Sequence, residues 1–234
     1  MIRFPNVADQ KVGSRCSPLE LDRNATLSLP NVTILGRRLN MTKERLAAFS
    51  DGVFAIIITI MVLELKVPHG ANWSVLAKLI PVALSYALSF VYIAIYWHNH
   101  HHLLYATQRV NGSILWANTH LLFWLSLIPF ATGWMGENNF AVRPTALYGV
   151  ALLMPAVAYF LLQTIIARTG GFSAAVAAAF GRDIKGKLSI AAYAAAVGLS
   201  FLSPLISLAI YVAVALLWLV PDRRIEDVLR HDPE

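Results

Sequence analysis

Apolar residues in this chain come in long runs rather than in alternation. Six windows carry them: Leu46–Val67, Leu76–Tyr96, Ile114–Trp134, Thr145–Ala167, Leu188–Leu202 and Leu205–Val220. Each supplies roughly 15–23 mostly apolar residues, and a helix needs about 20 to cross the hydrocarbon core of a bilayer. The pattern predicts an all-α, polytopic membrane protein with six transmembrane helices. The last two windows hold about 15 residues each, or ~22 Å at 1.5 Å per residue, and Ser203 and Pro204 separate them. They read as a tight hairpin whose flanks complete the crossing, or as a re-entrant pair. Both options leave the C-terminus on the same side.

The first 40 residues have no such run. They hold Pro5, Pro18, Pro30 and scattered charge, and lack the 7–15-residue apolar core of a signal peptide. Two readings stay open for residues 1–40: a disordered cytoplasmic extension, or an over-long start with true initiation at Met41. Residues 41–221 then form the six-helix transmembrane domain, and residues 222–234 a cytoplasmic tail.

Composition agrees with the runs. Hydrophobic residues make up 57% and charged residues 14% of the chain, against about 45–50% and 25% in soluble proteins. Mean hydropathy is +0.59. A soluble domain, a disordered chain and a coiled coil are excluded. The one cysteine, Cys16, cannot form an internal disulfide. The net charge of +6 points to membrane orientation rather than to nucleic acid, because Lys and Arg set topology. If both termini share a side, that side carries 16 of the 19 Lys and Arg residues. The other side keeps only Lys66, Lys78 and Arg143. The bias predicts a multi-pass protein of the cell inner membrane with both termini cytoplasmic. The stretch Phe172–Phe180 reads as a short interfacial helix or a plain connector.

The first span carries an acid near its start. An ionised Asp51 one turn inside a membrane helix costs on the order of 3 kcal/mol unless paired. Arg45 lies six residues earlier, too far round the helix, so the expected partner is a histidine at the end of span two, His98 or His101. The plain alternative is a solvated Asp51 at the interface. Further along, Ile56, Ile60 and Leu63 fall at i, i+4 and i+7 on one face, with Thr59 at its edge. By pattern alone this is a packing or lipid-facing stripe.

The string His98-Asn99-His100-His101-His102 needs its own reading. Di-iron membrane enzymes use about eight histidines in several boxes, whereas this chain has seven in total and one box. His98 and His102, at i and i+4, could grip a single ion, but such a string is more commonly an interfacial cluster, with one or two histidines bonded to Asp51 or backbone. No metal site and no cofactor are assigned. A pH effect through histidine is plausible near pH 6.5. His120 is expected to bond between helices. Glycine-rich phosphate loops and nucleophile elbows are missing, and no enzymatic activity is expected. Glu64 and Glu137 fall near the outer face, where Glu64 attracts cations or simply solvates a helix end. Pro81, Pro129 and Pro155 are expected to kink spans two, three and four.

The sequence Arg45-x-x-x-Phe49-Ser50-Asp51-Gly52-Val53-Phe54-Ala55, then a β-branched run ending Leu63-Glu64-Leu65-Lys66-Val67-Pro68, resembles the first helix of the transmembrane protein 175 family. Trp97-x-x-x-His101-His102, Trp116-x-Asn118 and Pro129 extend the likeness, which covers about Met41 to Pro221. These proteins are endolysosomal potassium channels and bacterial homologues. One six-span copy is similar to the bacterial form, a homotetramer, and no second copy of the signature is visible.

The resemblance implies a potassium-preferring cation channel with the first helices of four subunits lining the pore. Ile56 matches the narrowest aliphatic ring. Ile60 and Leu63 match further pore-facing layers, and Thr59 a hydroxyl layer. Arg45, Phe49, Ser50, Asp51, His98, His101 and Asn118 match a network that holds the first helices. Aliphatic rings gate by dewetting, and the Thr-Val-Gly-Tyr-Gly filter of other potassium channels is absent. Partners are potassium ions, the lipid bilayer and other copies of the chain, with no nucleic acid. The chain departs from the family at Ile57 and Ile58, where relatives often carry smaller residues. The competing reading is a proton-coupled secondary transporter or a proton-permeable channel. Transporters show internal repeats and a polar midplane site, and neither is evident.

Overall fold

The computed structural model describes residues 43–69, 72–173 and 183–219. The N-terminal extension 1–40, the tail 222–234 and all but the first two residues of the proposed interfacial helix at 172–180 lie outside them. Among the described residues the architecture is wholly helical. In chain order the helices are α1 (Lys43–Val62), α2 (Trp73–Ala77), α3 (Ile80–Tyr105), α4 (Gly112–Ser126), α5 (Ile128–Glu137), α6 (Val142–Arg168), α7 (Ile184–Leu199) and α8 (Pro204–Leu219). Among the described residues, four helical stretches are long and apolar enough to cross a membrane: α1, α3, α4 with α5, and α6. The apolar α8 is shorter, and α7 has 16 residues.

Local chemistry sets the ends. Glu44 in the first turn of α1 complements the helix dipole. Beyond Val62 the chain closes two turns, Leu63 N to Ile60 O at 2.9 Å and Leu65 N to Val62 O at 3.1 Å, and Pro68 disfavours helix in the residue before it. Asn111 caps α4 by accepting from Ile114 N at 3.0 Å, and Asp183 caps α7 by accepting from Gly186 N at 2.7 Å. Such caps are worth about 1 kcal/mol each.

One of the three prolines does something other than interrupt a span. Pro81 stands in the first turn of α3 and Pro129 in the first turn of α5. The missing N–H costs nothing at these positions. Pro81 therefore starts a helix, whereas Pro129 stands at the α4–α5 break inside span three, where an interruption was expected. Only Pro155 sits inside its helix, α6. Span two also runs further than its apolar window. The helix continues through Trp97 and the histidines to Tyr105, where His100, Leu103 and Leu104 are buried against the rest of the subunit and hold it.

The core lies where α6 packs against α4 and α7, α3 against α5, and α1 against α3. Phe54, Met61, Tyr92, Ile93, Leu121, Leu125, Tyr148 and Leu152 are among its fully buried members. Lipid is as apolar as leucine, so association in a bilayer depends on close packing and interhelical hydrogen bonds. Both devices are present. Gly136 sits so close to α3 that an added Cβ would lie 2.8 Å from the Val82 Cα. Ser89 Oγ bonds Thr132 Oγ1 at 2.7 Å and Tyr148 Oη at 2.9 Å. The Tyr92 hydroxyl donates to Tyr211 O at 2.5 Å, and Ser207 Oγ to Ala196 O at 2.7 Å. Bonds of this kind contribute roughly 0.6 kcal/mol each in a membrane.

Candidate pore-lining helix and its anchor

Helix α1 has two faces. Leu46, Ser50, Phe54, Ile57 and Met61 recur at intervals of three and four and are buried in the subunit. On the opposite side Phe49, Ile56, Ile60 and Leu63 stay exposed, at 58%, 58%, 45% and 73%. Arg45 and Thr59 are exposed with them. Thr59 Oγ1 donates to Ile56 O at 2.9 Å, which leaves its oxygen lone pairs on the outer face. Ile56, Ile60 and Leu63 therefore share a face, and it is the one that the subunit does not cover. Of the three consecutive isoleucines, Ile57 turns into the core and Ile58 packs against it. Val53, Ile56 and Ile60 also border an open, mostly apolar groove, closed on its other side by Ser126, Pro129 and Phe130 at the α4–α5 break.

Two sets of hydrogen bonds fix the azimuth of α1. The buried set starts at Ser50, whose hydroxyl donates to Leu46 O at 2.9 Å. Asn118 of α4 donates Nδ2–H to Ser50 Oγ at 3.0 Å and faces His100 Nε2 through Oδ1 at 2.7 Å. Since Oδ1 can only accept, His100 donates from Nε2. The His100 ring also stacks at a tilt on Phe54, centroids 5.4 Å apart. Ser50, His100 and Asn118 are all buried, so each would be costly without the others. The second set is a single bond, Trp97 Nε1 to Asp51 Oδ1 at 2.9 Å.

The sequence expectation for Asp51 is half corrected. Its partner does come from span two, but it is the tryptophan. An aromatic N–H reaches the carboxylate from the face of α3 that meets α1. His98 points elsewhere, with Nε2 3.1 Å from His102 Nε2. His101 lies beside Trp97, ring centroids 6.3 Å apart, and helps line a cavity between α1 and α3 with Asp51, His100 and Tyr105. Asn118 bonds both Ser50 and His100, and His100 is a residue the sequence reading left out. A signal for it existed: the buried positions Ser85, Ser89, Tyr92, His100 and Leu103 of α3 repeat every three or four residues, with Tyr96 completing the series. His120 is also corrected: it accepts from Trp124 Nε1 at 2.9 Å on its own helix, one turn away.

At the other end of α1, the Glu64 carboxylate lies against Gly133 of α5, where any side chain would collide with it. Lys66 forms an ion pair with Glu137, tying the segment after α1 to the end of α5. The hydrogen bond to Glu137 and its charge hold the Lys66 ammonium above its usual pKa. Among the described residues no group of three or more His, Cys, Asp or Glu side chains converges to hold a metal ion.

These features define a class: a helical, multi-pass membrane protein whose first helix is tethered on one side and keeps an apolar face clear on the other. Comparison with known proteins identifies which such class. The profile of the family described as endosomal/lysosomal potassium channel TMEM175 matches residues 45–129. A potassium channel of Chryseobacterium sp. (strain P1-3) is 52% identical over 192 residues, spanning 82% of this chain and 100% of the relative. A potassium channel of Streptomyces collinus is 32% identical over 183 residues, or 74% of this chain and 89% of the relative. The crystal structure of a lysosomal potassium-selective channel TMEM175 homolog from Chamaesiphon minutus superposes with a TM-score of 0.68 at 29% identity. The match covers 75% of this chain and 95% of that one. The chain belongs to the TMEM175 family, a family of ion channels.

Proposed function

We propose that this chain assembles as a homotetrameric, potassium-preferring cation channel, with six spans per subunit and both termini on the cytoplasmic side of the inner membrane. The observation that carries the reading is the two-faced α1: Ile56, Ile60 and Leu63 are exposed on a helix whose other face is fully packed. Four such helices around an axis place Ile56 at the narrowest ring. The ring gates by dewetting, since small changes in diameter switch hydration on or off. Thr59 adds hydroxyl oxygens one turn away, acceptors for a partly dehydrated cation. The Trp97–Asp51 and Asn118–Ser50 bonds are the tethers that keep these side chains aimed at the axis. Ion preference then rests on a wall of side chains rather than on backbone carbonyls, and a modest preference follows. The names of the relatives support potassium as the ion.

The test is electrical. Purified protein in planar bilayers is expected to give a reversal potential displaced toward the potassium equilibrium value in a potassium/sodium gradient. Mass photometry is expected to return four chains per particle. A reversal potential that follows a proton gradient instead would favour the proton-permeable or carrier reading.

A further inference from the structure

We propose that His98 and His102 form a two-ligand site for a divalent transition metal of the nickel, copper or zinc class, separate from the pore helix and its anchor. The pair stands one turn apart on the last two turns of α3, where the two side chains bond each other. The two Nε2 atoms face each other at 3.1 Å, with ring centroids 4.4 Å apart and planes at 86°. A metal holds each imidazole nitrogen at about 2.0–2.1 Å. Two such nitrogens lie about 2.9 Å apart at a right angle and about 3.3 Å at the tetrahedral angle, by simple trigonometry from that bond length. The observed separation falls between the two, so both nitrogens can reach one ion once each ring turns to aim its lone pair at it.

The same geometry explains the metal-free contact. One Nε2–H donates to the other Nε2, and an ion would replace that shared proton. Neutral imidazole favours nickel, copper and zinc over magnesium and calcium, which prefer oxygen. His101 lies near, its ring 5.9 Å from that of His102, but it faces the cavity between α1 and α3. An ion bridging residues 98 and 102 stiffens the end of the helix that carries Trp97 and His100.

The probe is Ni²⁺ alone, titrated calorimetrically into the full-length protein in detergent, carrying no polyhistidine tag. The expected result is one ion per subunit and a rise in thermal unfolding temperature with added Ni²⁺. His98→Gln and His102→Gln should each weaken binding more than the roughly tenfold that loss of even an outer-shell partner costs. His69→Gln should bind as the parent does, and Mg²⁺ should give no heat. Both substituted residues are at least partly solvent-facing, and gel filtration reports whether each variant keeps its assembly. Equal binding by the parent and a correctly assembled His98→Gln or His102→Gln variant, or no binding by the parent, overturns the proposal.

Discussion

Trp97 reaches from α3 to Asp51 of α1 with its indole N–H, 2.9 Å from Oδ1. The bond does more than neutralise a costly acid. Successive residues of an α-helix turn by about 100°, so Ile56, five residues after Asp51, points roughly 140° away from it. Holding Asp51 against α3 thus aims Ile56 away from α3 and out of the subunit. The buried Asn118–Ser50 bond fixes the same rotation from α4.

Trp97→Phe keeps the ring and removes the donor. A double-mutant cycle with Asp51→Asn, read by chemical unfolding in detergent, is expected to show a coupling of roughly 1 kcal/mol. Strict additivity of the two changes would mean that the bond does not hold the helices together.

Asn118→Ala should be costlier than either of those single changes. It leaves His100 and Ser50 buried with one partner fewer each, and an orphaned buried polar group costs about 1–3 kcal/mol. The expected drop in unfolding free energy is about 2 kcal/mol. A neutral Asn118→Ala would show that water replaces the amide.

The two close-packed glycines of α5 should respond differently to a methyl group. At Gly136 the obstacles are the Ser85 hydroxyl and the Val82 Cα, 2.8 Å away, and backbone cannot swing aside. At Gly133 the obstacle is the Glu64 side chain, with its Cδ 2.8 Å away, which can rotate. Gly136→Ala is expected to destabilise by about 1–3 kcal/mol and Gly133→Ala by less. Thermal unfolding of both variants decides it; a reversed order would contradict the packing described for α3 and α5.

Lys66 gives a pH dependence with a definite sign. Its pKa is raised in the folded protein above the ordinary 10.5, by the hydrogen bond and charge of Glu137. A raised lysine adds stability below its unfolded value, and that contribution is lost as pH rises through the folded one. The difference in melting temperature between parent and Lys66→Met should therefore be unaffected by lysine titration from pH 7 to 9 and shrink above about pH 10.5. Both groups are solvent-facing, so the difference should be small and should fall with salt. A difference that grows above pH 10.5 would contradict the pairing.

Much of this arrangement is written in the chain. The spacing of Ile56, Ile60 and Leu63 puts them on one face of the first span, but that spacing alone leaves open whether the face packs or is exposed. The long apolar windows locate α1, α3, α4 with α5, and α6. Two things were not legible. The rotation of α3 decides which of four neighbouring histidines turns inward, and hydropathy does not distinguish His98, His100 and His101. The packed face only emerges from the serine, tyrosine and leucine positions that precede and follow them. Proline position was ambiguous for a related reason: Pro81 reads as a kink within span two, whereas it begins α3; Pro129 does fall at a break inside span three. That difference depends on where the previous helix stops, which the apolar windows do not mark.

Ion flux from liposomes through the parent protein and Ile56→Ala tests the central claim most directly. Vesicles loaded with potassium and diluted into low-potassium buffer would be compared with matched sodium vesicles. If Ile56 forms the narrowest ring, parent flux is slow and favours potassium. Removing the ring's aliphatic bulk then raises flux several-fold and weakens the preference. Flux that is unchanged by Ile56→Ala, or that requires a proton gradient in both proteins, would contradict a pore constricted at Ile56.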